Sequence, residues 1–342
     1  MLIFNPNSKI NLIPLPNWRK SDEEKWRDDL SEKFKFPSPK DDDSLNAQEN
    51  AYLKYLNTLE FTFLNLSTDF EEVLIYASDE TSFLPFNLFQ IGLSKSDRNY
   101  SKHLKENRIQ AYIDKNFRDF LGFHYPVTNV LSLDWYINYG MPLKLNNDFT
   151  MSAWIPSEGE MLFAIMERKL VSALEEYNCN INTKNAPISN LSSDINIFML
   201  HGEKDKRYGF KSLTSAGNDE QVIDTTIGLD KIFGSGKVAV LFICNSAFTS
   251  RKPLSREIDN LVYQMFDLGY NAVIAPHWPL EAYMTPKWLE IFLKKFHEGV
   301  KISDCVHKAN IAVSQLSQDN SCYYHPAGWA SMHLFGNPNI SL

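Results

Sequence analysis

INIFML at residues 195–200, closed by His201 and Gly202, and VAVLFI at residues 238–243, closed by Cys244, decide how this chain reads. Each is an unbroken apolar run of strand length. A strand that is apolar on both faces is buried on both, which is the signature of a parallel sheet covered by helices. The flanking segments fit that reading. Upstream, Glu158 to Tyr177 repeats apolar residues at helical spacing (Met161, Leu162, Ile165, Met166, Leu170, Ala173, Leu174) and should lay one face on a core. Between the two runs, Thr226 to Phe233 fits a short helix. After them come a helix over Ser255 to Leu268, with Gly269 as its stop, and a strand over Asn271 to Ala275. A helix over Thr285 to His297 follows, with Thr285 as cap and Pro286 in the first turn, then a helix over Ser303 to Ser317 and a last strand near Trp329 to Leu334. Earlier in the chain, Val73 to Ala77 and Asn129 to Leu133 are strand candidates that look like half of a sheet. Alternating strands and helices predict an α/β fold with a mainly parallel sheet flanked by helices.

The composition narrows the function. Lys plus Arg is 34 against 42 Asp plus Glu, a net charge of -8, the wrong sign for a protein whose main task is gripping a phosphate backbone. Nucleic acid is therefore not expected as a partner. Cys179, Cys244, Cys305 and Cys322 are too sparse for a disulfide scaffold and form no CxxC pair, so a reducing cytoplasm suits them. The opening MLIFNPNSKINLIPLPNW is broken by Asn5, Pro6, Asn7 and Lys9 and does not read as a signal peptide. No stretch approaches the roughly 20 apolar residues of a membrane span. Residues 20–50 mix both signs of charge with Pro37 and Pro39. They read as a solvated extension with one short helix over Asp22 to Phe34 and a linker, a partner-recruiting arm being the other reading. Three regions result: a charged extension at 1–50, an N-terminal half at 51–157 and a C-terminal half at 158–342.

In open parallel sheets, reactive groups gather at the carboxyl ends of the strands, where loops converge and helix N-termini point. His201 and Cys244 stand at that end of their strands. If the strands are neighbours, both side chains emerge at one edge, as a cysteine nucleophile and its base require. A thiol is only a few per cent thiolate at pH 7 but strongly nucleophilic once ionised, and an imidazole can take its proton and later protonate a leaving amine. The Gly202 N–H, with no side chain to block the approach, could pair with that of Cys244 as an oxyanion hole. Asp205 and Glu281 fall on the same edge and are candidates for a substrate pocket, solvated loop charges being the plainer reading.

Five blocks in order, INIFMLHGEKD, KVAVLFICNSA, YNAVIAPHWPLEA, WLEIFLKKFHEGVKISDCVHKAN and HPAGWASMHLFGNP, resemble the CHAT branch of the caspase-like cysteine peptidases. EEVLIYASDETSFLPFNLF extends the resemblance upstream, to about residues 50 to 340 in all. It implies a caspase-hemoglobinase-like fold with an N-terminal half lacking catalytic residues and a C-terminal catalytic half, whose dyad falls on His201 and Cys244. It also places Trp278 near the substrate pocket, core packing being the other reading of that residue and of Trp329. The implied activity is a cytoplasmic, cofactor-free cysteine endopeptidase. It would act in a bacterial setting on a protein substrate, encoded by an adjacent gene, and release an effector such as a pore-forming protein in defence or programmed death. The alternative is a catalytically silent scaffold that recruits partners.

The departures bear on specificity. Phe242-Ile243-Cys244-Asn245-Ser246 lacks the animal caspase signature around the nucleophile. Asn245-Ser246-Ala247 stands where the family often has Glu-Thr-Gly, Leu280-Glu281 where it often has an Asp pair, and Phe242 where relatives cutting after basic residues often carry Asp. Cleavage after Arg, Lys or Asp is thus not signalled. Other chemistries fit less well. Gly234-Ser235-Gly236-Lys237 precedes a strand instead of joining one to a helix, unlike a phosphate loop. Cys305 and His307 lie two apart on a predicted helix, facing different ways, so with Cys322 and His325 they make no convincing zinc site. No GxSxG elbow occurs.

Overall fold

Of the sixteen strands among the described residues of the computed structural model, Val238–Ile243 and Ile195–Glu203 lie side by side in the sheet. The structure describes residues 2–4, 10–12, 71–77, 86–88, 120–156, 161–184, 192–203, 211–216, 219–222, 229–244, 246–247, 250–251, 258–259, 261–277, 280, 284–315 and 326–342. In chain order the strands are β1 (Leu2–Phe4), β2 (Ile10–Leu12), β3 (Val73–Tyr76), β4 (Val127–Val130), β5 (Leu143–Lys144), β6 (Met151–Trp154), β7 (Asn180–Asn182) and β8 (Ile195–Glu203). Then come β9 (Lys211–Ala216), β10 (Asp219–Val222), β11 (Val238–Ile243), β12 (Ser250–Arg251), β13 (Ile258–Asp259), β14 (Ala272–Pro276), β15 (Met332–Gly336) and β16 (Ile340–Ser341).

Eight of these, in the order β7-β6-β8-β11-β14-β15-β4-β3, build a mostly parallel sheet. β7, β6, β8, β11 and β14 run parallel to one another. β15 runs antiparallel to β14 but parallel to β4, which is parallel to β3. β1 and β2 continue beyond β3, and the β9–β10 hairpin attaches at the far end of β8. This is the expected α/β architecture, and strands from both sides of residue 157 pair within the one sheet.

Side chains alternate across a sheet with period two, and both faces here are apolar. Ile195 and Ile197 of β8 share a core with Val238, Val240 and Phe242 of β11. The same core takes in Leu170 and Leu174 of helix Met161–Glu175, Trp288, Leu289, Phe292 and Phe296 of helix Thr285–His297, and Val306 and Ala309 of helix Ile302–Gln315. On the opposite face, Phe198, Leu200, Leu241 and Ile243 pack with Ile232 and Phe233 of helix Leu229–Phe233 and with Leu261 and Met265 of helix Leu261–Asp267. Asn196 is a fully buried polar residue among the apolar residues at the start of β8. Its amide shares two N–H groups among Ser193 O at 3.1 Å, Ser235 O at 3.0 Å and the Tyr270 hydroxyl at 2.9 Å, and Tyr270 in turn donates to Phe233 O at 2.6 Å. This buried latch joins the start of β8 to the loop that feeds β11. Trp329 is a core residue, fully buried between Phe120 and Phe123 at ring-centroid distances of 6.1 and 6.2 Å.

Several boundaries differ from the sequence reading. The strand expected at Asn129 to Leu133 runs from Val127 to Val130, because Ser132 caps a new helix, Leu133–Tyr139, by accepting from the Trp135 N–H at 2.9 Å. The helix expected from Ser255 begins at Leu261, since Ile258–Asp259 pairs with Ser250–Arg251 instead. Thr285 lies inside its helix, with Met284 at the cap position. Ile165, read as part of a buried stripe, is 43% exposed. The helix expected over Asp22 to Phe34 lies outside the described residues. Among the described residues, no helix is long and apolar enough to cross a membrane.

Candidate active site

β8 and β11 are parallel neighbours in fixed register, with Ile195 opposite Val238 and so on up to Leu200 opposite Ile243. His201 and Cys244 are the next residue of each strand and so occupy corresponding positions at the carboxyl edge. By the alternation along the strands, His201 continues the face of Ile195 and Ile197, and Cys244 continues that of Val238, Val240 and Phe242. Both therefore belong to the face under helices Met161–Glu175 and Thr285–His297. A cavity of about 120 Å³ opens there, with His201 and Cys244 both in its lining and both half-buried. Its walls are Ile155, Pro156, Met199, Leu200, Phe242 and Leu280, with Glu167 and Thr285 contributed by the two helices.

The opening follows from a change of strand partner along β8. β6 accompanies β8 from Ile195 to Phe198 and leaves the sheet after Trp154, at Ile155-Pro156, where proline has no N–H for a ladder. β9 takes over from the other direction, pairing Leu213 with His201, Ser212 with Gly202 and Lys211 with Glu203. Because of β9, β8 continues through Glu203 and does not end at His201.

Cys244 carries a thiol and not a disulfide, and the Leu280 backbone N–H donates to its Sγ at 3.3 Å. That bond strengthens as the sulfur gains negative charge. Gly202 is packed so closely against the end of β11 that an added Cβ would collide with the Cys244 carbonyl oxygen and come within 2.8 Å of Ile243 Cγ2. Only a residue without a side chain fits there without displacing the backbone of Cys244. Asp205, Trp278 and Glu281, the remaining pocket candidates from sequence, lie outside the described residues. Ile155, Pro156, Glu167, Leu280 and Thr285 went unread because each comes from an element whose place beside the strand ends is set only by the fold.

The other described thiols sit in different surroundings. Burial pushes Cys179 and Cys305 up to about 12, and Cys305 donates to Val300 O at 3.3 Å. His307 pairs through Nε2 with Phe123 O at 3.0 Å. Both are accounted for by packing and local hydrogen bonds. Beyond the site, His277, the residue after β14, and His333 of β15 meet edge-on at 4.3 Å between ring centroids. Burial lowers His277 to about 3. Burial, together with His277, holds His333 well below the usual imidazole range.

The site is thus a thiol and an imidazole at corresponding positions on adjacent strands of a mostly parallel α/β sheet. A CHAT domain family model matches residues 212–337, a span that contains Cys244 and starts just after His201. No curated protein matches the chain. Among solved structures, the chain is similar to one in the crystal structure of the Saccharomyces cerevisiae separase–securin complex, with a TM-score of 0.50 and 14% sequence identity. That similarity covers 88% of this chain and 18% of the other, so the chain spans less than a fifth of its length. At this identity the likeness is one of fold.

Proposed function

We propose that the protein is a cysteine endopeptidase in which His201 and Cys244 act as a dyad on a protein substrate. The observation that carries the reading is the β8–β11 register, which gives a histidine and a cysteine corresponding positions at the mouth of one cavity. In this mechanism His201 takes the Cys244 proton and Sγ attacks the scissile carbonyl carbon. The resulting oxyanion is held by the N–H groups of Gly202 and Cys244. As the C–N bond breaks, His201 returns the proton to the departing amine, leaving a thioester. Water, deprotonated by His201, then attacks the thioester, releasing the carboxylic acid and restoring the thiol. The Leu280 N–H supports the sulfur while it carries negative charge. The N-terminal half takes no part in the chemistry, and the substrate is an effector, such as a pore-forming protein, activated by the cut in bacterial defence or programmed death.

The test is to incubate the purified full chain and its Cys244→Ala variant with the products of neighbouring genes. Cleavage of one product by the wild type alone is the expected result. Products left intact by both, or cut equally by both, refute the reading and favour a scaffold that recruits partners.

A further inference from the structure

We infer that the cavity beside Cys244 selects a leucine or methionine side chain on the residue whose carbonyl is attacked, with Phe242 as its specificity-determining floor. The inference rests on the peptidase reading above. Chemistry places the side chain: the attacked carbonyl carbon is bonded to the Cα that bears it, so it must enter the nearest space next to Sγ. That space is the cavity that His201 and Cys244 both line.

Polarity and size then limit what fits. Phe242 lies two residues before Cys244 on the same strand face and is 4% exposed. Its ring meets Trp288 edge-on at 5.8 Å, and Trp288 is fixed by donating from Nε1 to Asn310 Oδ1 at 2.7 Å and by stacking on Phe292 at 5.1 Å. The floor is therefore aromatic and held from behind. Ile155, Met199 and Leu280 add apolar wall to it. Among the described lining residues there is no lysine or arginine to receive an acidic side chain. The one carboxylate, Glu167, keeps part of its surface in solvent, which places it toward the rim. A charged head driven to the floor would lose its water without gaining a partner there. A dry apolar cavity of roughly 150 Å³ holds benzene, six carbons, so about 120 Å³ suits four or five heavy atoms. Leucine and methionine side chains have four.

The test uses the full chain and a set of peptidyl acyloxymethyl ketones that differ only in the residue next to the warhead: Ala, Leu, Met, Phe, Lys, Arg or Asp. Cys244 Sγ forms a thioether with the methylene as the C–O bond to the carboxylate breaks. The carboxylate leaves and the thiol proton passes to His201. Intact mass gives the rate. Leu and Met are expected to react on the order of 10-fold faster than Ala and Phe, and on the order of 100-fold faster than Lys, Arg and Asp. Phe242→Leu should shift the preference toward Phe. Met199→Phe, at a half-buried position that tolerates change, should shift it toward Ala and keeps the inference testable if the first variant does not fold. Lys or Arg reacting fastest, with the rate falling in Glu167→Gln, overturns the inference, as does a flat profile, while leaving the peptidase reading intact. If no ketone modifies Cys244 although iodoacetamide does, the peptidase reading fails and the inference falls with it.

Discussion

Gly202→Ala probes whether the two strand ends are set as closely as the site requires. The new Cβ would meet the Cys244 carbonyl oxygen in hard collision, Ile243 Cγ2 at 2.8 Å and the Cys244 carbonyl carbon at 3.0 Å. Two of these three atoms are backbone of the nucleophile's own residue, so no side-chain rotation relieves the clash. Either β8 or the end of β11 must shift. Overpacking of this kind costs about 1–3 kcal/mol of stability, and a shift of about 1 Å at reacting groups costs on the order of 100-fold in rate. The substitution keeps the Gly202 N–H, so the loss would come from displacement and not from a deleted donor. Gly236→Ala is the matched control. Its Cβ would collide with the Ser193 carbonyl oxygen and approach Asn196 Nδ2 at 2.7 Å and Tyr270 Cε1 at 3.0 Å at the opposite, amino end of β11, away from the cavity. Both variants should lower the midpoint of urea unfolding, but only Gly202→Ala should lower kcat/KM on a cleaved peptide beyond its loss of folded protein. Wild-type kcat/KM in Gly202→Ala, or equal rate losses in the two variants, would refute the reasoning.

The buried imidazoles should make the fold acid-sensitive. His277 is lowered to about 3 and His333 also lies below the usual 6.5, so both are neutral in the native protein and bind protons only on unfolding. Stability is complete above about pH 6.5 and falls as pH falls toward 3. His277 alone removes about 1.4 kcal/mol per pH unit, or about 2 kcal/mol at pH 5. Urea midpoints at pH 7.5 and 5 should show a smaller drop in His277→Phe than in the wild type, and equal drops would contradict the assignment. Asn196→Ala removes the latch between β8 and the β11 loop, leaving the Tyr270 hydroxyl and two carbonyls without that donor. A loss of about 1–3 kcal/mol with an unchanged denaturant slope is expected, and an unchanged midpoint would show that the latch contributes nothing.

Much of the sheet was legible because strands buried on both faces must be apolar throughout, which INIFML and VAVLFI are. The helix over Thr285 to His297 was also legible, since Trp288, Leu289, Phe292 and Phe296 keep one face. β6 was not: Met-Ser-Ala-Trp is four residues long with a serine in its middle, and only its place between β7 and β8 makes it a strand. Ser132 fell inside the strand expected at Asn129 to Leu133, and its capping role depends on a helix too short to announce itself. At the site, His201, Gly202 and Cys244 could be found because each closes or follows an unbroken apolar run, although β8 itself continues through Glu203. Glu167 could not, since on an amphipathic helix a carboxylate facing a cavity looks the same in sequence as one facing water.

The claim that His201 activates Cys244 is tested most directly by the rate at which iodoacetamide modifies Cys244 at pH 7, in the wild type and in His201→Ala, with peptide mapping to separate the thiols. Cys244 should react well before Cys179 and Cys305, whose thiols burial holds up to about 12. His201→Ala should slow Cys244 by on the order of 10-fold, since a thiol without a base is only a few per cent thiolate at this pH. The rates of Cys179 and Cys305 should be unchanged between the proteins. Equal Cys244 rates in wild type and variant, or a Cys244 no more reactive than Cys305, would contradict the account.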